Sequence, residues 1–158
     1  YNADEKELCR LDEIYSAVKT PFEIRSGSEK VTRRFFKICN NGRESFTGLY
    51  KSLTEQGICK GHQCIAYGLY MRDNGIELSE GLAVYGYSIC SAIVTNCVKL
   101  VPLSQLAGQK ILGESFELIS SASEKALFTD INDIGISGAG FDLRAMQHER
   151  LYSRQYMS

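Results

Sequence analysis

The chain has 158 residues, 44% hydrophobic and 23% charged, with a formal net charge of -1. That length holds one sizeable core, and so small a charge gives no global field toward nucleic acid or anionic lipid. No apolar run reads as long enough to span a bilayer, nothing at the start reads as a signal peptide, and the six cysteines of a large helical chain read as buried cytosolic thiols rather than a disulfide framework.

Only two prolines occur and strand signals are scarce, so the chain reads as helices. Asp4 to Val18 places Leu8, Leu11, Ile14, Tyr15 and Val18 at helical spacing. Thr20-Pro21 ends that helix and opens a second, with proline at a tolerated first-turn position. Ile24, Val31, Phe35 and Ile38 line the predicted buried face of the second helix, and Asn40-Asn41-Gly42 stops it. A third helix runs from Glu44 to Gln56, and a fourth from Gly61 to Asp73, where Asn74-Gly75 terminates it. Ser79 is the predicted cap of the longest apolar segment, Glu80 to Leu100. Its Gly81, Ala83, Gly86, Ser88, Ser91 and Ala92 lower helix propensity, by up to about 1 kcal/mol per glycine. Close approach of another helix usually offsets that cost, so this segment is predicted to be the central helix of a bundle, packed on several sides. Val101-Pro102 interrupts it. Ser104 caps a further helix from Gln105 to Ser120, continuing with a bend through Phe128. Asp130 to Gly140 is a loop or hinge. The last helix begins near Gly140 and includes Leu143, Met146, His148 and Leu151. With no repeat and no linker, the predicted fold is all-α: a single helical bundle of six to seven helices, one domain over residues 1–158.

Cys59-Lys-Gly-His62-Gln-Cys64 is the one cluster with metal-ligand residue types. A structural zinc site needs four ligands, usually in two paired knuckles, and the second pair is missing. No metal is therefore expected, and His62 reads as a helix-start residue with local hydrogen bonds. A thiol or metal protein built on these three residues is the competing reading. His148 stands beside Glu149, but no Gly-x-Ser-x-Gly elbow, phosphate loop or dinucleotide fingerprint accompanies it. Asp12-Glu13 reads as ordinary surface charge. No catalytic set and no cofactor site is expected.

Two segments resist a purely structural reading. In Asn96 to Gln109, Gln105 and Gln109 lie four apart on one helix face, and with Asn96 and Lys99 they would decorate one rim. In Asp142 to Ser158, aromatic, thioether and guanidinium groups continue almost to the last residue, with Arg154 between Tyr152 and Tyr156. Chain ends are usually ragged and polar. Arginine among aromatics instead favours stacking and forked hydrogen bonds, the pattern of interface anchors.

Val98-Lys-Leu-Val-Pro-Leu-Ser-Gln-Leu-Ala-Gly-Gln-Lys-Ile-Leu112 resembles the central signature of the UreF family of urease accessory proteins. Met146-Gln-His-Glu-Arg-Leu-Tyr-Ser-Arg-Gln-Tyr-Met-Ser158 resembles that family's C-terminal motif, Met-x-His-Glu-x-x-Tyr-Ser-Arg-x-Phe/Tyr-x-Ser. Gly61-His62, Tyr67-Gly68 and Thr20-Pro21-Phe22-Glu23-Ile24-Arg25 fit the family too, in the right order, and Helicobacter-type members are especially similar. The family's N-terminal motif, Pro-x-Gly-x-Tyr/Phe-x-His-Ser-x-Gly-Leu-Glu, is missing and the chain opens on Tyr1, so an N-terminally truncated piece is expected.

The resemblance implies an all-α, dimeric, cytoplasmic scaffold with no catalysis and no cofactor of its own. It would bind UreD (UreH in some organisms) and recruit the GTPase UreG, with modulation of that GTPase as a further implied role. The assembly would dock on apo-urease and support nickel insertion. Neither nucleic acid nor membrane is an implied partner. Carried over residue by residue, Met146, His148, Tyr152, Ser153, Arg154, Tyr156 and Ser158 would serve tail docking. Pro102, Gln105, Gly108 and Gln109 belong to the central signature, as partner-binding residues by the same resemblance. The loop Asp130 to Gly140 holds no His or Cys, which argues against nickel binding there. A generic helical interaction domain is the third reading.

Overall fold

The computed structural model describes residues 4–39, 42, 45–135 and 138–152. Among them the chain forms α1 (Glu5–Val18), α2 (Phe22–Ile38), α3 (Phe46–Glu55), α4 (Gln63–Asp73), α5 (Leu78–Leu100), α6 (Gln105–Glu114), α7 (Phe116–Ala126), a 3-10 turn (Ile131–Asp133) and α8 (Ala139–His148). The described fold is all-α, with no strand among these residues.

The eight α-helices among the described residues exceed the predicted six to seven because the helix predicted from Gln105 through Phe128 is two, divided at Ser115. The Ser115 hydroxyl donates back to the Ile111 carbonyl at 2.8 Å, a bond that bends helices. Two caps also differ. Glu77, not Ser79, is the cap residue of α5. Pro21 occupies the cap position of α2 rather than its first turn.

The chain divides into two compact units, residues 1–73 with 132–158 and residues 74–131. In the first, Leu8 of α1, Phe36 of α2, Tyr50 and Leu53 of α3, and Ala66 and Leu69 of α4 enclose a core with Cys59 from the α3–α4 connection. Burying each large apolar side chain contributes about 1.5–3 kcal/mol. The buried stripe of α2 is shifted by one residue from the prediction: Thr32 and Phe36 are buried, while Val31 and Ile38 are exposed. Thr32 tolerates burial because its hydroxyl donates to the Ser28 carbonyl at 2.9 Å. Phe36 packs edge-on against Tyr50, their ring centres 6.1 Å apart. The start of α3 is held from α4, where the Asp73 carboxylate accepts the Phe46 and Thr47 amides at 3.1 and 2.8 Å.

In the second unit α6 and α7 pack on α5. Its small residues do permit close approach: a Cβ at Gly86 would lie 3.1 Å from Ile119 Cγ2 of α7. Coverage is one-sided, however. Gly81 is the buried residue of α5, while Val84 and Ile93 are each 57% exposed, so within its unit α5 is not packed on several sides as predicted. With 23 residues and a mean hydropathy of 1.4 in its apolar window, α5 is long and apolar enough to cross a bilayer by length and composition. This corrects the prediction that no such run exists. Interspersed Gly, Ser and Thr break up the apolar residues without pulling the average down far.

Candidate partner-binding site

The first amides of a helix have no intrahelical acceptor, and Pro21 supplies no side-chain cap for α2. Glu149, the residue closing α8, fills that place: its Oε1 accepts the Phe22 N–H at 2.8 Å. One residue earlier, His148 Nδ1 stands 2.6 Å from Glu23 Oε2. Glu23 and Glu149 both bring carboxylates to the start of α2, where the dipole of that helix favours negative charge. Arg25 braces the same corner, donating to the Lys19 carbonyl at 2.8 Å and the Thr20 carbonyl at 3.4 Å. The Pro21 ring beneath is fully buried. The sequence points to Glu149 as the carboxylate beside His148; the structure supplies Glu23, 125 positions away. Consecutive helical residues point about 100° apart, so an adjacent carboxylate is poorly aimed at its neighbour.

Of the predicted tail residues, Met146 is 39% exposed and Tyr152 is fully exposed. His148 meets Glu23 through Nδ1 while its side chain stays 41% exposed. Ser153, Arg154, Tyr156 and Ser158 lie outside the described residues.

The central signature lies in the other unit. Ser104 caps α6 as predicted, its hydroxyl accepting the Ala107 N–H at 3.1 Å. Pro102 sits exposed in the turn before it. Gln105, Gly108 and Gln109 meet Val94, Val98 and Lys99 in a groove of about 290 Å³ between α5 and α6. The predicted rim is therefore shared by Gln105, Gln109 and Lys99, whereas Asn96 lines a separate groove with Tyr87 and Ser88. Gly108 is the close-approach point: a Cβ there would stand 2.6 Å from Val98 Cγ2.

Sequence reasoning missed the polar centre of the first unit. Asp12, read as surface charge, is 2% exposed. Its carboxylate accepts the Tyr50 hydroxyl, the Lys60 amide at 2.7 Å and the Gly61 amide at 3.0 Å. Tyr50 in turn accepts the His62 amide at 2.8 Å. Burial, and then the bond to Asp12, raise the Tyr50 phenol well above its ordinary range. The available signal was position: Leu8 and Asp12 are four apart, on one face of α1.

His62 does not bond locally. Its Nε2 is 2.7 Å from Ser16 Oγ, 46 residues away, and Nδ1 has no partner among the described residues. Burial lowers its pKa below the ordinary value of 6.5, outweighing the pull of Asp12. Cys59 lies beside Cys9, sulfur to sulfur 3.8 Å. Burial, then the Asp12 charge and the Cys9 contact, push its thiol up to about 12, and burial also raises Cys64. Burial thus favours the neutral form of each: protonated thiols at Cys59 and Cys64 and an uncharged imidazole at His62. Among the described residues no three His, Cys, Asp or Glu side chains gather closely enough to hold a metal ion.

The UreF family profile matches residues 1–115. The urease accessory protein UreF of Actinobacillus pleuropneumoniae serotype 5b is 34% identical over 158 residues, covering 99% of this chain and 70% of that protein. The proteins of the same name from Haemophilus influenzae and Paenarthrobacter aurescens are 35% and 31% identical, covering 96% and 94% of this chain and 65% and 67% of their own lengths. The profile match, the identity along nearly the whole chain and the all-α fold agree, and the chain belongs to the UreF family of urease accessory proteins.

Proposed function

We propose that the chain, whose family membership gives it a role in urease maturation, performs that role in the cytoplasm as a non-catalytic scaffold, acting as a homodimer. In this reading the tail, with Met146, Tyr152, Ser153, Arg154, Tyr156 and Ser158, docks on UreD/UreH. The surface so formed recruits the GTPase UreG, and the assembly delivers nickel, as cargo, to apo-urease. Pro102, Gln105, Gly108 and Gln109 form a second partner-facing surface.

The observation that carries this reading is the character of α8. It belongs to a UreF-family chain, buries none of its residues and leaves Met146 exposed, and four residues past its end Tyr152 is exposed too, where an arginine- and tyrosine-bearing sequence begins. Such side chains gain most when a partner encloses them.

Co-purification tests the proposal. Arg154→Ala should abolish recruitment of UreG while far-UV circular dichroism stays unchanged, because an interface arginine typically contributes about 2 kcal/mol or more. Assembly of the full complex by this variant refutes the tail assignment.

A further inference from the structure

The family motif gives His148 to a partner, whereas here its Nδ1 already meets Glu23 within the chain. We propose that Glu23, His148 and Glu149 are positioning residues: they fasten the end of α8 to the start of α2 and so fix where the tail leaves the domain. This rests on the scaffold reading above, in which the residues after Tyr152 bind another protein.

None of the residues of α8 is fully buried, and α2 is its main helical neighbour. Polar contacts at its C-terminal end tie it to α2: His148 to Glu23 at 2.6 Å and Glu149 to the Phe22 amide at 2.8 Å. His148 and Glu149 are consecutive and aim at different atoms of α2, so together they restrict rotation of α8 as well as its position. Only Arg150, Leu151 and Tyr152 separate this clasp from Ser153. Phe22, beside the clasp, is 59% exposed. A tethered root loses less freedom on binding than a loose one.

The His148 and Glu23 side chains are 41% and 17% exposed, so solvent screens the pair and its share of global stability is small. Its effect falls on the tail.

The test uses the whole chain with Glu23→Gln, His148→Gln and the double variant. Amide hydrogen exchange over residues 139–152 is read in the free protein, and affinity for UreD/UreH by titration calorimetry. Each single variant should melt within about 2 °C of the parent, exchange faster in α8, and bind about fivefold more weakly. The double variant should bind no worse than either single. Losses that multiply in the double variant would mean that each residue touches the partner separately, and would overturn the proposal. So would unchanged exchange in α8. If the parent chain does not bind UreD/UreH, the scaffold reading fails, and exchange alone then decides the clasp: faster in Glu23→Gln upholds it, unchanged overturns it.

Discussion

Asp12→Ala is the most informative single change in the first unit. It removes the acceptor of the Tyr50 hydroxyl and of the Lys60 and Gly61 amides. Lys60 is exposed, so water can replace that bond. Tyr50 and Gly61 are buried, and each stranded donor costs about 1–3 kcal/mol. Releasing a buried carboxylate offsets part of this, leaving a net loss of about 3 kcal/mol. In a unit of roughly 100 residues, 1 kcal/mol moves Tm by about 4–8 °C. Asp12→Ala should therefore melt about 15 °C below the parent, followed by the helical circular dichroism signal. Tyr50→Phe removes the donor to Asp12 and the acceptor of the His62 amide, for about 1–2 kcal/mol. Because the two variants share one bond, the double variant should fall short of additivity by about 1 kcal/mol. A melting point for Asp12→Ala within about 2 °C of the parent would refute the account and return Asp12 to the surface.

Two further outcomes follow from the packing. His62 is buried and its pKa is lowered below 6.5, so the unfolded chain binds a proton there more readily than the folded one. Its contribution is complete above that value and declines as pH falls through it, by about 1.4 kcal/mol for each tenfold difference in proton affinity between the unfolded and folded chain. Urea midpoints of the parent should drop more steeply than those of His62→Gln between about pH 7.5 and about pH 5; equal slopes would remove His62 from the acid response. At Gly108 an added methyl would stand 2.6 Å from Val98 Cγ2 and 3.3 Å from Val94 Cγ1. Both neighbours are β-branched with stiff side chains, so Gly108→Ala should lose about 1–2 kcal/mol net of its better helix propensity, whereas a rise in urea midpoint would show that α6 moves aside freely.

Local patterns in the chain specified a great deal. Helical spacing gave the helices, and Ser104 before Gln105 gave a cap that the structure confirms at 3.1 Å. Gly86 announced a close approach, found at Ile119. The tail and central signatures gave the family. Each of these depends on residues a few positions apart, whose relations are set by backbone geometry alone.

The misses share a different cause. Asp12 reads as surface charge until Tyr50, 38 residues away, and the Lys60-Gly61 backbone, 48 and 49 residues away, arrive to satisfy it. His148 looks outward until Glu23 meets it from 125 positions away. The stripe of α2 shifts by one residue, with Phe36 against Tyr50 of α3 and Phe35 beside Tyr67 and Tyr70 of α4. Whether a polar group is buried depends on partners that only the folded chain assembles, since an unpaired buried donor or charge is too costly to keep. The sequence determined the helices and the family; tertiary structure decided which charges lie inside and which distant carboxylate meets His148.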